Sequence, residues 1–211
     1  MKFVRYIIII LIITLVGYNS VYFKRLDEVA ASKTAKEFNA DSYAAAFWNN
    51  KLMSHLDDAV DLITLESMLA VDPAKAFDTY SHALGIGNLR YFLIRGSGTV
   101  ESVNEDDVVV KLLPDSSGKY VSLATEYIFG NAVRDATGLV NISEFSNTMD
   151  FNNVSAELNK IVREKVLPPF KKKVKKGMNI EFIGAIELNK EHLDLSAVEV
   201  VPVKIVEENQ K

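Results

Sequence analysis

The chain has 211 residues, with 28 acidic and 24 basic side chains; four of the basic ones lie at or before Arg25, so the remainder carries a net charge of −8. That balance argues against a nucleic-acid partner, because basic surface supplies most of such affinity, and against the domain lying flat on anionic lipid. There is no cysteine, which excludes disulfides and thiolate metal sites.

The first elements are at the N-terminus. MKFVRYIIIILIITLVGYNSVYFKR opens with Lys2 and Arg5, runs through an apolar stretch and closes on Lys24 and Arg25. The 21 residues from Phe3 to Phe23 would make a helix of roughly 30 Å, about one hydrocarbon core. Arg5 can snorkel to one interface, and Tyr18 and Tyr22 suit the other. A cleavable signal needs small residues just after the apolar run, whereas the first alanines are Ala30 and Ala31. Leu15-Val16-Gly17 matches three positions of a bacterial lipoprotein signal, but Tyr18 stands where that signal requires cysteine. The expectation is a signal-anchor over residues 1–25. It would be a single-pass transmembrane helix in a bacterial inner membrane, with the C-terminal domain in the periplasm.

Residues 26–86 read as a helical subdomain. Trp48, Leu52, Leu56, Ala59 and Ile63 recur at three- and four-residue spacing and make one apolar stripe. Asp72-Pro73 marks a helix start, with Asp as N-cap and Pro at the first helical position. That helix is expected from Ala74 to Leu84, with a stop at Gly85.

Residues 87–211 read mostly as strands, at Leu89–Val103, Asp107–Leu113, Lys119–Phe129, Asn179–Leu188 and Ala197–Val206. In the fourth, Ile180, Phe182, Ile186 and Leu188 share one face while Glu181 and Glu187 take the other. A helix interrupts them, with Phe151, Val154, Leu158, Ile161 and Val162 inward and Pro168-Pro169 limiting its far end. The fold class is therefore α+β, and five strands with a helix between the third and fourth is the order of an OB-like barrel. An open α+β sheet can be built from the same elements. Gly96 and Gly98 suit the bend that lets one long strand serve both sides of a barrel.

Few motifs carry chemistry. Arg95-Gly96-Ser97-Gly98 lacks the third glycine and the following helix of a phosphate-binding loop. His55, His82 and His192 show no metal-ligand spacing, so no metal or cofactor is expected. The run Lys171, Lys172, Lys173, Lys175 and Lys176 reads as a solvated helix end, or as a contact for lipid headgroups or an acidic partner. Arg134 and Asp135, adjacent in a stretch flanked by Gly130 and Gly138, can brace a loop or offer a fork of donors to a polar ligand.

Arg134-Asp135-Ala136, Phe145-x-Asn147, Asp150-Phe151 and Leu158-Asn159 together resemble an uncharacterised bacterial family, the predicted periplasmic lipoproteins of domain of unknown function 2291. Lys24-Arg25-Leu26-Asp27 and the segment from Phe38-x-Ala40 to Trp48 fit as well, so the resemblance covers most of the chain after the anchor. The family has no established activity. Its members look like companions of sugar-type ABC import systems, which implies a role beside periplasmic solute capture. This chain departs from the family at Tyr18 and at Asn147-Thr148, where an amide pair is expected.

The functional expectation is a membrane-anchored accessory or binding protein without catalytic residues. Arg134, Asp135 and Asn147 would be polar contacts for a saccharide, and Tyr91 or Trp48 apolar platforms. Alternatives are a scaffold docking onto an ABC transporter subunit, or a hydrolase using Asp106, Asp107 and Glu126.

Overall fold

The computed structural model describes residues 2–20, 38–114 and 118–208, which fall in two units, Met1–Phe38 and Asn39–Lys211. The first contributes one helix, α1 (Lys2–Ser20). Its described apolar side chains, from Phe3 to Val16, are exposed. Among the described residues no helix is long and apolar enough to cross a membrane. The 19 residues of α1 extend about 28 Å, just short of a hydrocarbon core, and both its end turns are polar. Val21, Tyr22 and Phe23, which complete the expected span, lie outside the described residues. What the described residues show of this segment is an apolar helix that runs through Ser20.

In the second unit, α2 (Ala40–Phe47) starts where the Asn39 side chain accepts the Ser42 N–H. It passes into a π-turn (Trp48–Leu52) and a 3-10 turn (Met53–Asp58). The apolar stripe from Trp48 to Ile63 is therefore spread over several elements. It breaks because Val60–Asp61 extends as β1 and pairs in parallel with Ile94 and Arg95. Asp61 then caps α3 (Leu62–Val71), and Asp72 caps α4 (Pro73–Tyr80) with Pro73 at its start. The fourth helix ends at Tyr80, short of the expected Leu84. There the chain turns extended, and His82 exchanges backbone hydrogen bonds of 2.8 and 2.9 Å with Tyr91.

The strands are β2 (Leu89–Val103), β3 (Asp107–Leu112), β4 (Tyr120–Ala124), β5 (Asn179–Asn189) and β6 (Glu199–Glu207). Their order, β2-β3-β4-β6-β5 with β5 returning to β2, closes a barrel. The pairs are antiparallel except β4 and β6, where Ser122 and Leu123 face Glu199 and Val200 in parallel. This is the OB-like arrangement rather than an open sheet. Closure explains the glycines of β2. A Cβ on Gly98 would stand 2.3 Å from the Lys111 carbonyl oxygen, and one on Gly96 2.7 Å from the Phe182 ring.

The alternation of β5 places Ile180, Phe182, Ile186 and Leu188 inside and Glu181 and Glu187 outside. Helices α3 and α4 add Leu62, Leu65, Leu69 and Phe77 to the same core as Phe92, Ile94 and Val110. The change of pattern at Gly85–Gly87 is thus a change of secondary structure within one packed unit. Each fully buried Phe or Leu contributes about 1.5–3 kcal/mol of burial.

Between β4 and β5 lie α5 (Ala132–Asp135), α6 (Thr148–Ile161), a π-turn (Val162–Val166) and α7 (Leu167–Lys171). Pro168 and Pro169 do not end the helix as expected. They occupy the opening positions of α7, past a π-turn, where a missing N–H costs little.

Candidate functional site

The third strand was expected to continue to Phe129, but β4 stops at Ala124 and the chain peels away along the helix. Side chains of the helix explain why. Lys171 reaches the Thr125 carbonyl at 3.5 Å and the Glu126 carboxylate at 2.9 Å. Arg163 donates to the Ile128 carbonyl, and Asn159 to that of Gly130 at 2.9 Å. Ser155 donates to the Asn131 side chain at 2.9 Å. The loop therefore runs antiparallel to the helix, fastened at successive turns by hydrogen bonds to groups that have left the sheet ladder.

The last fastener is Arg134. Its Nε and Nη2 donate to the two carboxylate oxygens of Asp135 at 2.6 and 2.9 Å, and its Nη1 donates to the Phe151 carbonyl at 3.2 Å. The guanidinium carbon lies 3.4 Å from the Phe151 ring centroid. Phe151 meets Phe145 edge-on at 5.2 Å, and Phe145 meets Tyr43 at 5.1 Å. The Tyr43 hydroxyl donates to Glu144 at 2.7 Å. Burial, then that acceptor's hydrogen bond and charge, push the phenol far above its usual range.

Arg134 and Asp135 are each only 3% exposed. Two buried charges so matched form a neutral, rigid floor, and removing either would strand the other.

That floor belongs to a cleft of 330 Å³ walled by the 83–89 loop, the start of β2, α5 and α6. Asn131 and Asn152 stand on its side, and both also line a neighbouring 370 Å³ cleft that extends to Phe129 and Arg163. Asn131 bridges Ser155 to the Tyr91 hydroxyl. Burial raises the pKa of Tyr91, with the Glu187 charge adding to it. Asn152 is exposed, leaving its amide open to a ligand that can both donate and accept.

The structure brings Arg134 and Asp135 together at the cleft. It places Asn147 elsewhere, as the N-cap of α6, its carbonyl oxygen accepting from the Asp150 N–H and its amide donating to the Asp150 carboxylate, both at 2.8 Å. Of the expected apolar platforms, Tyr91 lines the cleft although it is only 6% exposed, whereas Trp48 is a core residue away from it, 8% exposed. Asp107 accepts from Asn104 at 2.7 Å and from Ser122, and Glu126 pairs with Lys171, so these carboxylates are occupied as braces.

Sequence reasoning gave no individual role to Asn131, Asn152, Ser155 or Asn159. Ser155 and Asn159, four residues apart beside Val154 and Leu158, were the available signal: polar side chains on an inward helix face need partners. The buried Glu66, which accepts from Lys119, was also missed. Among the described residues, no three His, Asp or Glu side chains group as a metal site.

A family described as predicted periplasmic lipoprotein (DUF2291) matches residues 11–206. Among solved structures, the chain is similar to an OB-fold protein from Thermotoga maritima MSB8. Identity is 28% and the TM-score 0.73, covering 82% of this chain and all of that one. No curated protein matches.

Proposed function

We propose, on the premise that this chain belongs to the predicted periplasmic lipoprotein family, that it is an extracytoplasmic accessory protein binding an uncharged, hydroxyl-rich ligand of the saccharide class. The observation that carries this is the cleft over the Arg134–Asp135 pair. Its floor charges are already matched to each other, so a charged ligand would find no uncompensated countercharge there. Its wall offers the exposed amide of Asn152, suited to hydroxyls, beside Asn131, which Ser155 and Tyr91 hold in place. At 330 Å³ the cleft sits at the small end of ligand sites.

Thermal shift of the full chain in detergent against a panel of sugars tests the proposal. A stabilising sugar is expected, and Asn152→Ala should remove its effect without lowering the ligand-free Tm. If no sugar shifts the wild type, the saccharide reading fails.

The N-terminal segment supports a membrane tether. The apolar side chains of α1 are exposed, and Tyr18 replaces the residue that would carry a lipid. Extraction should require detergent, and the mature protein should retain its first residues. A soluble form beginning after Gly17 would contradict the tether.

A second reading, docking beside an ABC-type import system, draws on the exposed apolar side chains of Ile86, Leu89 and Ile142 around the cleft. Co-purification with a transporter subunit, lost when Ile86 and Ile142 are changed to Ser, is its test.

A further inference from the structure

The loop that leaves β4 has an unusual exposure pattern. Ile128 is buried, while Tyr127 and Phe129 on either side of it are 63% and 74% exposed. The loop cannot hide them by turning over, because the Thr125, Ile128 and Gly130 carbonyls are tied to Lys171, Arg163 and Asn159. Two of those ties are cationic; Lys171 is itself paired with Glu126, and Arg163 brings positive charge beside the aromatics.

The charge continues along the chain. Residues 125–131 and 163–176 together hold seven basic and two acidic side chains, whereas the chain beyond Arg25 is net −8. Lys172, Lys173 and Lys175 are exposed, while Lys176 is paired with Glu101 at 2.8 Å.

We propose that this edge, the Tyr127–Phe129 loop with the lysine-rich end of the helix, is a contact surface for an anionic lipid bilayer. Exposed aromatic rings are at home at headgroup depth, and lysines near an anionic surface add attraction that decays within a Debye length. Each signal is weak alone, but two together hold a protein at a membrane. A tethered chain also meets the bilayer at high effective concentration. The acidic remainder is repelled, so the domain would stand on this edge rather than lie flat. A neutral sugar stacking on Phe129 would make no use of the exposed Lys172, Lys173 and Lys175. The inference is independent of the saccharide cleft.

The test mixes the full Phe129→Trp chain with vesicles containing phosphatidylglycerol and lipid brominated close to the headgroup. Trp48, the native tryptophan, is buried and serves as an unquenched reference for the fold. The introduced indole should be quenched in anionic vesicles and much less in pure phosphatidylcholine. Adding Lys172→Glu and Lys173→Glu should lower the quenching at least about threefold, with Trp48 emission unchanged. Absence of quenching, equal quenching in neutral vesicles, or indifference to the charge reversals would each overturn the proposal. Capture of an acidic protein by this edge without lipid quenching would overturn it in favour of a protein partner.

Discussion

The barrel and the helix-fastened loop sit side by side but are stabilised by different chemistry. In the barrel, many apolar side chains share the load around Phe92, Phe182 and Ile94, and glycines at Gly96 and Gly98 let the strands approach. In the loop, the carbonyls of Thr125, Ile128 and Gly130 are each held by a single named donor from the helix. Distributed packing tolerates change by degrees. Fastening by individual polar groups fails one fastener at a time, and that localised character places the exposed amides and aromatics where ligands and surfaces can reach them.

The contrast predicts graded effects. Phe182→Ala should destabilise the whole unit by about 3–5 kcal/mol, read as a lower denaturation midpoint common to all probes. Arg134→Ala should cost a similar ~3–5 kcal/mol, because it leaves the Asp135 carboxylate buried without a partner. Replacing both by apolar residues of like volume should recover most of that loss. A double variant as unstable as the single one would show that the pair supplies more than mutual compensation. Asn159→Ala removes one fastener and should cost about 1–2 kcal/mol. Its signature is local, with faster hydrogen exchange around Gly130 and unchanged protection in β2 and β5. A global loss there would mean that loop and barrel unfold as one.

How much of this was readable follows the same division. The inward face of β5 was legible because its alternation at Ile180 and Phe182 is written residue by residue, and β2 was legible because Tyr91 to Ile94 is a continuous apolar run, buried throughout. The end of β4 was not. Tyr127, Ile128 and Phe129 have strand-like composition, and what ends the strand is a set of donors between 29 and 46 residues away in the helix. Arg134 and Asp135 were legible as a pair because they are adjacent. That Trp48 and Tyr91 are buried depends on long-range packing, which composition does not encode. The stripe from Trp48 to Ile63 misled because β-pairing of Val60 and Asp61 overrode its helical spacing.

The central claim is that the cleft over the Arg134–Asp135 pair receives a saccharide. Hydrogen exchange of the full chain, with and without a sugar that raises its Tm, tests it most directly. Protection should increase at residues 83–89, 131–135 and 148–152, which contribute to the walls of the cleft, and Asn152→Ala should abolish it. Protection confined to other segments, or persisting unchanged in Asn152→Ala, would contradict the account.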